Sequence, residues 1–456
     1  MTLPYRPLGD TGLRCHPLGF GCYRVSDDNT IHADALGLYL ERGGNLIDTS
    51  ANYMDGESEK LVGRLLRFHP RDQIIVVTKG GYIQGRNMAL ARERDFSAVV
   101  KLNDQLWHSI HPDFLDTQIR LSSERLQLDY LDVYLLHNPE YFFETRPGAH
   151  EEFYRRIGEA FRYLESQVAA GRLRWYGVSS NHYIYPASDP TLTSIARTLA
   201  AAEAVSPNHH FRVVQLPLNL YESGAALEPN NEGRTPLEFC REHGLGVLAN
   251  RPLNAFHQNR LIRLADFAPP GSPPPGAEDL RALLRPLAEH EQRLHQDLGA
   301  ELMGPGIAAS LLDIVPRIVA PAHWEQAAGP HVIRPIQSWL QSCRQQSNGR
   351  PEWDTWLEAF IPLINEALDG VHRHLQAGQQ AVSDDVRVTL AQAGYPPSGE
   401  SLSRLALNVL LGLDGLSCAL VGMRRAAYVE DALGEADVDR VDSLGLLRRF
   451  RDAAAG

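Results

Sequence analysis

From residue 45 to about residue 250 the chain alternates short apolar or β-branched runs with longer amphipathic stretches, the pattern that repeated parallel βα units produce. The runs are Leu18–Tyr23, Asn45–Asp48, Ile74–Thr78, Asp132–Leu136, Trp175–Val178, Val213–Leu216 and Leu245–Ala249, each too short for a helix and most followed by polar residues or Gly. An eighth run, Ser417–Val421, comes only near the C-terminus, after the amphipathic segment SLSRLALNVLLG. Eight such runs predict an α/β fold whose strands close into a (β/α)8 TIM barrel.

Between the seventh run and the helix that precedes the eighth lie roughly 130 residues more than such a connection needs, so this stretch must have structure of its own. The Pro/Gly-rich run APPGSPPPG at 268–276 marks its entry. Leu280, Leu283, Leu287, Leu294 and Leu298 then fall largely at helical spacing. Trp353, Trp356, Phe360, Leu363, Ala367 and Val371 form a second stripe, with Pro351 at a favourable first-turn position and Pro362 at an expected kink. Both stripes read as helical core rather than as a cofactor site. The pattern thus divides the chain into a barrel, residues 1–264 and 399–456, and a mainly helical insertion, residues 265–398. In such a barrel the connection after a strand emerges on the face where catalytic residues end, so the insertion is expected to act as a lid, wall or partner-binding subdomain.

Composition changes this picture little. Of 456 residues, 43% are hydrophobic and 22% charged, ordinary for a globular protein. No apolar run reaches the ~18 residues of a membrane span, and the start MTLPYRPLGDTG lacks the basic and apolar regions of a secretory signal, so a cytoplasmic location is expected. The net charge of -12 argues against general affinity for nucleic acid or anionic lipid and leaves room for one phosphorylated ligand at a local basic patch. Cys15, Cys22, Cys240, Cys343 and Cys418 are scattered, as expected of reduced thiols. His372 with His374, His209 with His210 and His108 with His111 lack a third ligand nearby, so they are expected to be surface histidines and no metal is expected.

Chemistry enters at the strand ends. Reducing a carbonyl with hydride builds negative charge on oxygen, so a site for it needs a proton donor and a group that stabilises the charge. A phenol can serve if a neighbouring ammonium lowers its pKa towards working pH and a carboxylate holds that ammonium, while a neutral imidazole orients the carbonyl. Asp48 and Tyr53 lie in DTSANYMDGESEKLVG after the second run, Lys79 ends IIVVTKG, and His137 ends DVYLLH. Each alone has a structural explanation, as a cap, a loop aromatic, a snorkelling lysine or a core histidine. Four coincidences at separate strand ends favour the site.

The run D-T-(S/A)-x-x-Y followed by G-x-S-E-x-x-x-G, then T-K, then L-x-H-x-P, resembles the aldo-keto reductases, with similarity extending over about residues 5–264 and 399–435. The resemblance implies that Tyr53 is the general acid/base, that Lys79 tunes it, that Asp48 supports Lys79 and that His137 orients the carbonyl. It further implies that Ser180 and Asn181 of GVSSNH, with Gln215, hold the nicotinamide carboxamide. Gly422, Arg424 and Arg425 of VGMRRAAYVEDAL would meet the adenosine 2′-phosphate, which favours NADP over NAD because guanidinium grips phosphate in a fork. Asp431 would lie near the adenine. Two positions depart from the family's pattern: Asn250 stands where an aromatic usually stacks on the nicotinamide, and Ala432 where an asparagine is usual. The implied activity is hydride transfer between a nicotinamide cofactor and a small aldehyde, ketone, alcohol or sugar-like substrate. Two other readings stay open: a nucleotide-binding regulatory protein on the same barrel, and a cofactor-assisted lyase or epimerase.

Overall fold

The computed structural model describes residues 3–258, 260–298, 305–318, 321, 324, 328–346, 350–395, 399–434 and 442–455. Eight strands, β1 (Leu18–Gly21), β2 (Leu46–Asp48), β3 (Ile75–Gly80), β4 (Leu131–His137), β5 (Leu173–Ser179), β6 (Phe211–Pro217), β7 (Gly246–Asn250) and β8 (Cys418–Val421), form a closed barrel. Neighbours in the chain are neighbours in the barrel, all parallel, and β8 closes on β1 through Ala419 opposite Leu18 and Val421 opposite Phe20. This is the (β/α)8 fold, and each of the eight apolar runs supplies one strand. The runs are apolar throughout because strands of a parallel barrel are covered on both faces.

Around the strands lie α1 (Thr30–Glu41), α2 (Glu57–Leu66), α3 (Pro112–Leu126), α4 (His150–Ala169), α5 (Ile195–Val205), α6 (Pro236–Glu242), α7 (Leu402–Leu411) and α8 (Ala426–Ala432). Several begin at side chains that satisfy the first free N–H groups: Asn29 on α1, Ser194 on α5, Ser401 on α7, and on α6 a capping box between Thr235 and Glu238. The lower end of the barrel is closed by the hairpin Arg6–Pro7 with Arg14–Cys15, whose Leu8 and Cys15 join Leu46, Ile75, Val77, Val133, Leu135, Val213, Leu248, Cys418 and Leu420 in one core. Between β3 and α3 the chain adds a three-stranded antiparallel sheet, Tyr82–Ile83, Val100–Asn103 and Leu106–His108, which the alternation of apolar runs does not foretell.

The chain falls into two compact units, Met1–Leu264 with Thr389–Gly456, and Ala265–Val388. The second is helical, with Ala277–Leu298, Ile307–Ile314, Arg334–Gln346 and most of Pro351–Gln392. Its core contains the expected Leu280, Leu287, Leu294, Trp353, Trp356, Phe360, Ala367 and Val371. Glu291, buried there, accepts the N–H groups of Ile307 (2.6 Å) and Ala308 (3.1 Å), placing a carboxylate at the start of a helix. The dividing point lies inside Pro351–Gln392, whose continuation belongs to the barrel unit: Arg449 Nε donates to Ala393 O at 2.6 Å. Among the described residues no helix is long and apolar enough to cross a membrane.

Two of the histidines expected at the surface are buried, His108 at 2% exposure and His209 at 7%. His108 is taken inside by the added sheet, where it packs against Tyr82 and Tyr141.

Candidate active site

Side chains alternate along a strand, so each inward position is followed two residues later by another. Counting up from the apolar core, Leu46 leads to Asp48, Val77 to Lys79, Leu135 to His137, Val213 to Gln215 and Leu248 to Asn250. In β5 the inward position below is Gly177, where a Cβ would overlap the Val213 carbonyl oxygen, and the next is Ser179. Apolar layers are thus topped by one polar layer at the C-terminal ends of six strands.

Lys79 is its centre. Fully buried, its ammonium donates to Asp48 Oδ2 at 2.8 Å, to Thr49 O at 2.8 Å and to the Tyr53 hydroxyl at 3.1 Å. Burial works against the ammonium, but the attraction of Asp48 and Tyr53 and their hydrogen bonds outweigh it and hold its pKa above the usual lysine value. Asp48 Oδ1 accepts from Gln215 Nε2 at 2.8 Å, and Gln215 Oε1 accepts from Ser179 Oγ at 3.0 Å. Burial pushes the Asp48 carboxyl up, partly countered by Lys79 and Gln215. Tyr53 behaves differently from the expectation that Lys79 brings it towards working pH: burial outweighs the ammonium, and the phenol is pushed up to about 12. It is therefore a neutral O–H at ordinary pH.

His137 completes the group, with its ring edge-on to Tyr53 at 5.9 Å between centroids and to Tyr82 at 4.7 Å. Nδ1 lies 3.1 Å from Ser50 Oγ, and the His137 carbonyl oxygen is 2.7 Å from His108 Nε2. Burial first, then the charge of Lys79, holds the imidazole well below its ordinary pKa, so it is neutral.

The residues of G-x-S-E-x-x-x-G hold this arrangement from behind. Ser58 Oγ bonds Thr49 Oγ1 at 2.7 Å, beside Asp48. Glu59, buried, accepts from Thr78 Oγ1 at 2.5 Å and from Arg125 Nε at 2.6 Å, tying α2 to β3 and α3. At Gly63 a Cβ would lie 2.5 Å from Leu126 O, so only glycine lets α2 and α3 approach this closely. Between Tyr53 and α2, Met54 (φ 47°) and Asp55 (φ 56°) adopt left-handed backbone, and Asp55 Oδ1 accepts the Arg86 N–H at 2.9 Å.

The residues matched to a dinucleotide are less uniformly placed. Ser180 lies just past β5 and caps the turn Asn181–Ile184: its hydroxyl bonds Thr193 Oγ1 at 2.7 Å and accepts the His182 N–H at 3.2 Å. Ser179 is the serine in the polar layer. Strand register distinguishes the two: Ser179 pairs with both His137 and Gln215. Asn181 donates its backbone N–H to Glu140 Oε1 at 2.7 Å, while its carboxamide makes no hydrogen bond among the described residues. Gln215 is held at both ends by Asp48 and Ser179. Among the described residues Asn250 Oδ1 is buried without a partner, as are Arg251 Nε and Asn254 Oδ1 beyond it. At Gly422, after β8, a Cβ would meet nothing within 4 Å. Arg424 and Arg425 follow and both act on His32, whose pKa is lowered by burial and then by these charges among others. Asp431 accepts from Ser401 Oγ at 2.6 Å and from Ser403 Oγ, so both its oxygens serve the start of α7.

An open groove of about 500 Å³ is lined by Asn52, Asp55, Gln84, Gly85, Met88, Arg92, Asp104 and Gln105; Asp48, Tyr53, Lys79 and His137 do not line it. Among the described residues no three His, Cys, Asp or Glu side chains form a group able to hold a metal.

Comparison with known proteins agrees with the barrel fold. The family model described as "Aldo/keto reductase family" matches residues 17–256. An NADH-specific methylglyoxal reductase from Escherichia coli (strain K12) is 29% identical over 183 residues, 38% of this chain and 51% of that protein. A D-threo-aldose 1-dehydrogenase from Pseudomonas sp. is 28% identical over 259 residues, 54% of this chain and 68% of that protein. The chain spans about half the length of the first curated relatives it matches, 51%, 55% and 51%. Among solved structures, the aldo-keto reductase AKR11C1 from Bacillus halodurans in its holo form superposes with a TM-score of 0.50 at 16% identity, covering 98% of this chain and 96% of that one, a likeness of fold.

Proposed function

The chain belongs to the aldo/keto reductase family, and on that premise we propose that it transfers hydride between a nicotinamide dinucleotide, preferably NADP, and a small carbonyl or alcohol substrate. The observation that carries the reading is the buried Lys79 ammonium, held by Asp48 and hydrogen-bonded to the Tyr53 hydroxyl. The unengaged Asn181 carboxamide, the orphaned Asn250 oxygen and the open space at Gly422 fit a dinucleotide with an amide at one end and phosphate at the other. When bound, the dinucleotide supplies or accepts the hydride. Tyr53 gives its proton to the substrate oxygen during reduction. Lys79 stabilises the phenolate left behind, Asp48 keeps Lys79 in place, and His137 hydrogen-bonds the substrate oxygen.

The likeness to a D-threo-aldose 1-dehydrogenase points towards hydroxylated carbonyl compounds as substrates. The test is absorbance at the reduced-nicotinamide band with NADPH and NADH, across methylglyoxal, short aldehydes and aldoses in both directions. Carbonyl-dependent oxidation of the reduced dinucleotide is expected. No turnover with any member of the panel overturns the reading.

The state of Tyr53 sets a pH signature. Reduction uses the neutral phenol, which is present at every pH below about 12, whereas oxidation of an alcohol uses the phenolate. Reductive kcat should therefore stay level between about pH 6 and about pH 9, while oxidative kcat should rise about tenfold per unit over the same span. A level oxidative profile would assign the base to another group.

Replacing Arg424 and Arg425 together with Ala should weaken NADPH by about 2–3 kcal/mol and change NADH little, through loss of charge-assisted bonds to the 2′-phosphate. Fluorescence titration of both dinucleotides measures this, and equal losses would show that the pair does not read that phosphate.

A further inference from the structure

His137 is useful to a carbonyl only if its single proton is on the right nitrogen. The ring is neutral, so it carries one N–H. To donate to a substrate oxygen on which charge develops, that N–H must be at Nε2, which makes no hydrogen bond among the described residues. Nδ1 faces Ser50, a fully buried residue. Ser50 has one hydroxyl hydrogen and three acceptors within reach: Asn52 Oδ1 at 2.7 Å, His137 Nδ1 at 3.1 Å and Lys79 O at 3.3 Å. If the hydrogen goes to Asn52, the Ser50 oxygen accepts a hydrogen bond from Nδ1–H, and Nε2 is left as a lone pair that repels a carbonyl oxygen. If it goes to Nδ1, Nε2 carries the proton.

Asn52 decides between the two. Its amide now presents oxygen to Ser50, but the two ends of a carboxamide have nearly the same shape, and a half-turn about the last side-chain bond presents the NH2 instead. That NH2 donates to Ser50 and leaves the Ser50 hydrogen two acceptors, of which Nδ1 at 3.1 Å is nearer than Lys79 O at 3.3 Å, an oxygen that already accepts the Ala51 N–H. We propose that Ser50 and Asn52 are positioning residues that set the tautomer of His137: in the reactive form Asn52 donates to Ser50, Ser50 donates to Nδ1, and His137 carries its proton on Nε2. The inference rests on the reading that His137 meets the substrate oxygen.

The decisive experiment is nitrogen-15 NMR of histidine-labelled protein with oxidised dinucleotide and a carbonyl inhibitor bound, beside steady-state kinetics. The full-length protein should show His137 protonated at Nε2. Ser50→Thr, which keeps the hydroxyl, should retain this signature. Asn52→Asp, isosteric and able only to accept when ionised, should move the proton to Nδ1 and lower kcat about 10- to 100-fold with dinucleotide affinity unchanged. Ser50→Ala should lower kcat by a similar factor. Protonation at Nδ1 in the unmodified protein overturns the proposal, as does an unchanged tautomer and kcat in both Asn52→Asp and Ser50→Ala. The NMR signature does not depend on turnover. A protein with the Nε2 tautomer that reduces no carbonyl would count against the reductase reading and leave the relay standing.

Discussion

Tyr53→Phe is expected to lower turnover about 10³-fold or more in both directions while leaving the Kd for the dinucleotide within about twofold. The phenol oxygen is the atom to which Lys79 donates at 3.1 Å, and the substitution removes only that oxygen. The ring stays, with its edge-on contacts to His137 and to Tyr23 at 5.3 Å, so the pocket keeps its shape. A rate effect without a binding effect is the mark of a group needed in the transition state alone. Stopped-flow hydride transfer with a saturating carbonyl substrate, alongside fluorescence titration of NADPH, separates the two. Turnover within threefold of the unmodified protein would remove Tyr53 from its role.

The second large effect lies beneath Tyr53. Asp48→Asn keeps the hydrogen bond to Gln215 but leaves the Lys79 ammonium, which is 0% exposed, without its counter-charge. An uncompensated buried charge costs about 3–5 kcal/mol of stability, and turnover should fall about 10²-fold or more because the ammonium is no longer held against the phenol. Adding Lys79→Met to Asp48→Asn removes the charge and should recover most of the lost stability, short of the bond to Thr49 O, with no recovery of turnover. Urea unfolding of the single and double variants, set against their rates, tests this. If Asp48→Asn unfolds at the same urea concentration as the unmodified protein, the pair is not the buried ion pair described.

Much of this was legible beforehand for a definite reason. A parallel barrel strand is short, apolar on both faces and followed by a turn, so Ile75–Gly80 or Leu131–His137 can be recognised without knowing its partners. The helical stripe through Trp353, Trp356 and Phe360 shows itself in the same way. The sheet between β3 and α3 was not legible, because its strands are two to four residues long and half exposed, leaving no periodicity to read. That sheet is what buries His108 against the backbone of His137.

By itself the sequence determined the eight strands and their order, since these follow from local periodicity, and it placed Asp48, Tyr53, Lys79 and His137 at or just beyond strand ends, with their proposed roles coming from the family resemblance. It could not decide which serine of GVSSNH lies inside, because the two are adjacent and only strand register places Ser179 beside Gln215 and Ser180 against Thr193. Nor could it decide the proton affinity of Tyr53. The sequence supplies the neighbouring lysine, but the balance between that ammonium and the loss of water around the phenol is fixed by packing, and here packing prevails. The contact of His137 with Ser50, 87 residues away in the chain, likewise exists only because β2, β3 and β4 lie side by side in the closed barrel.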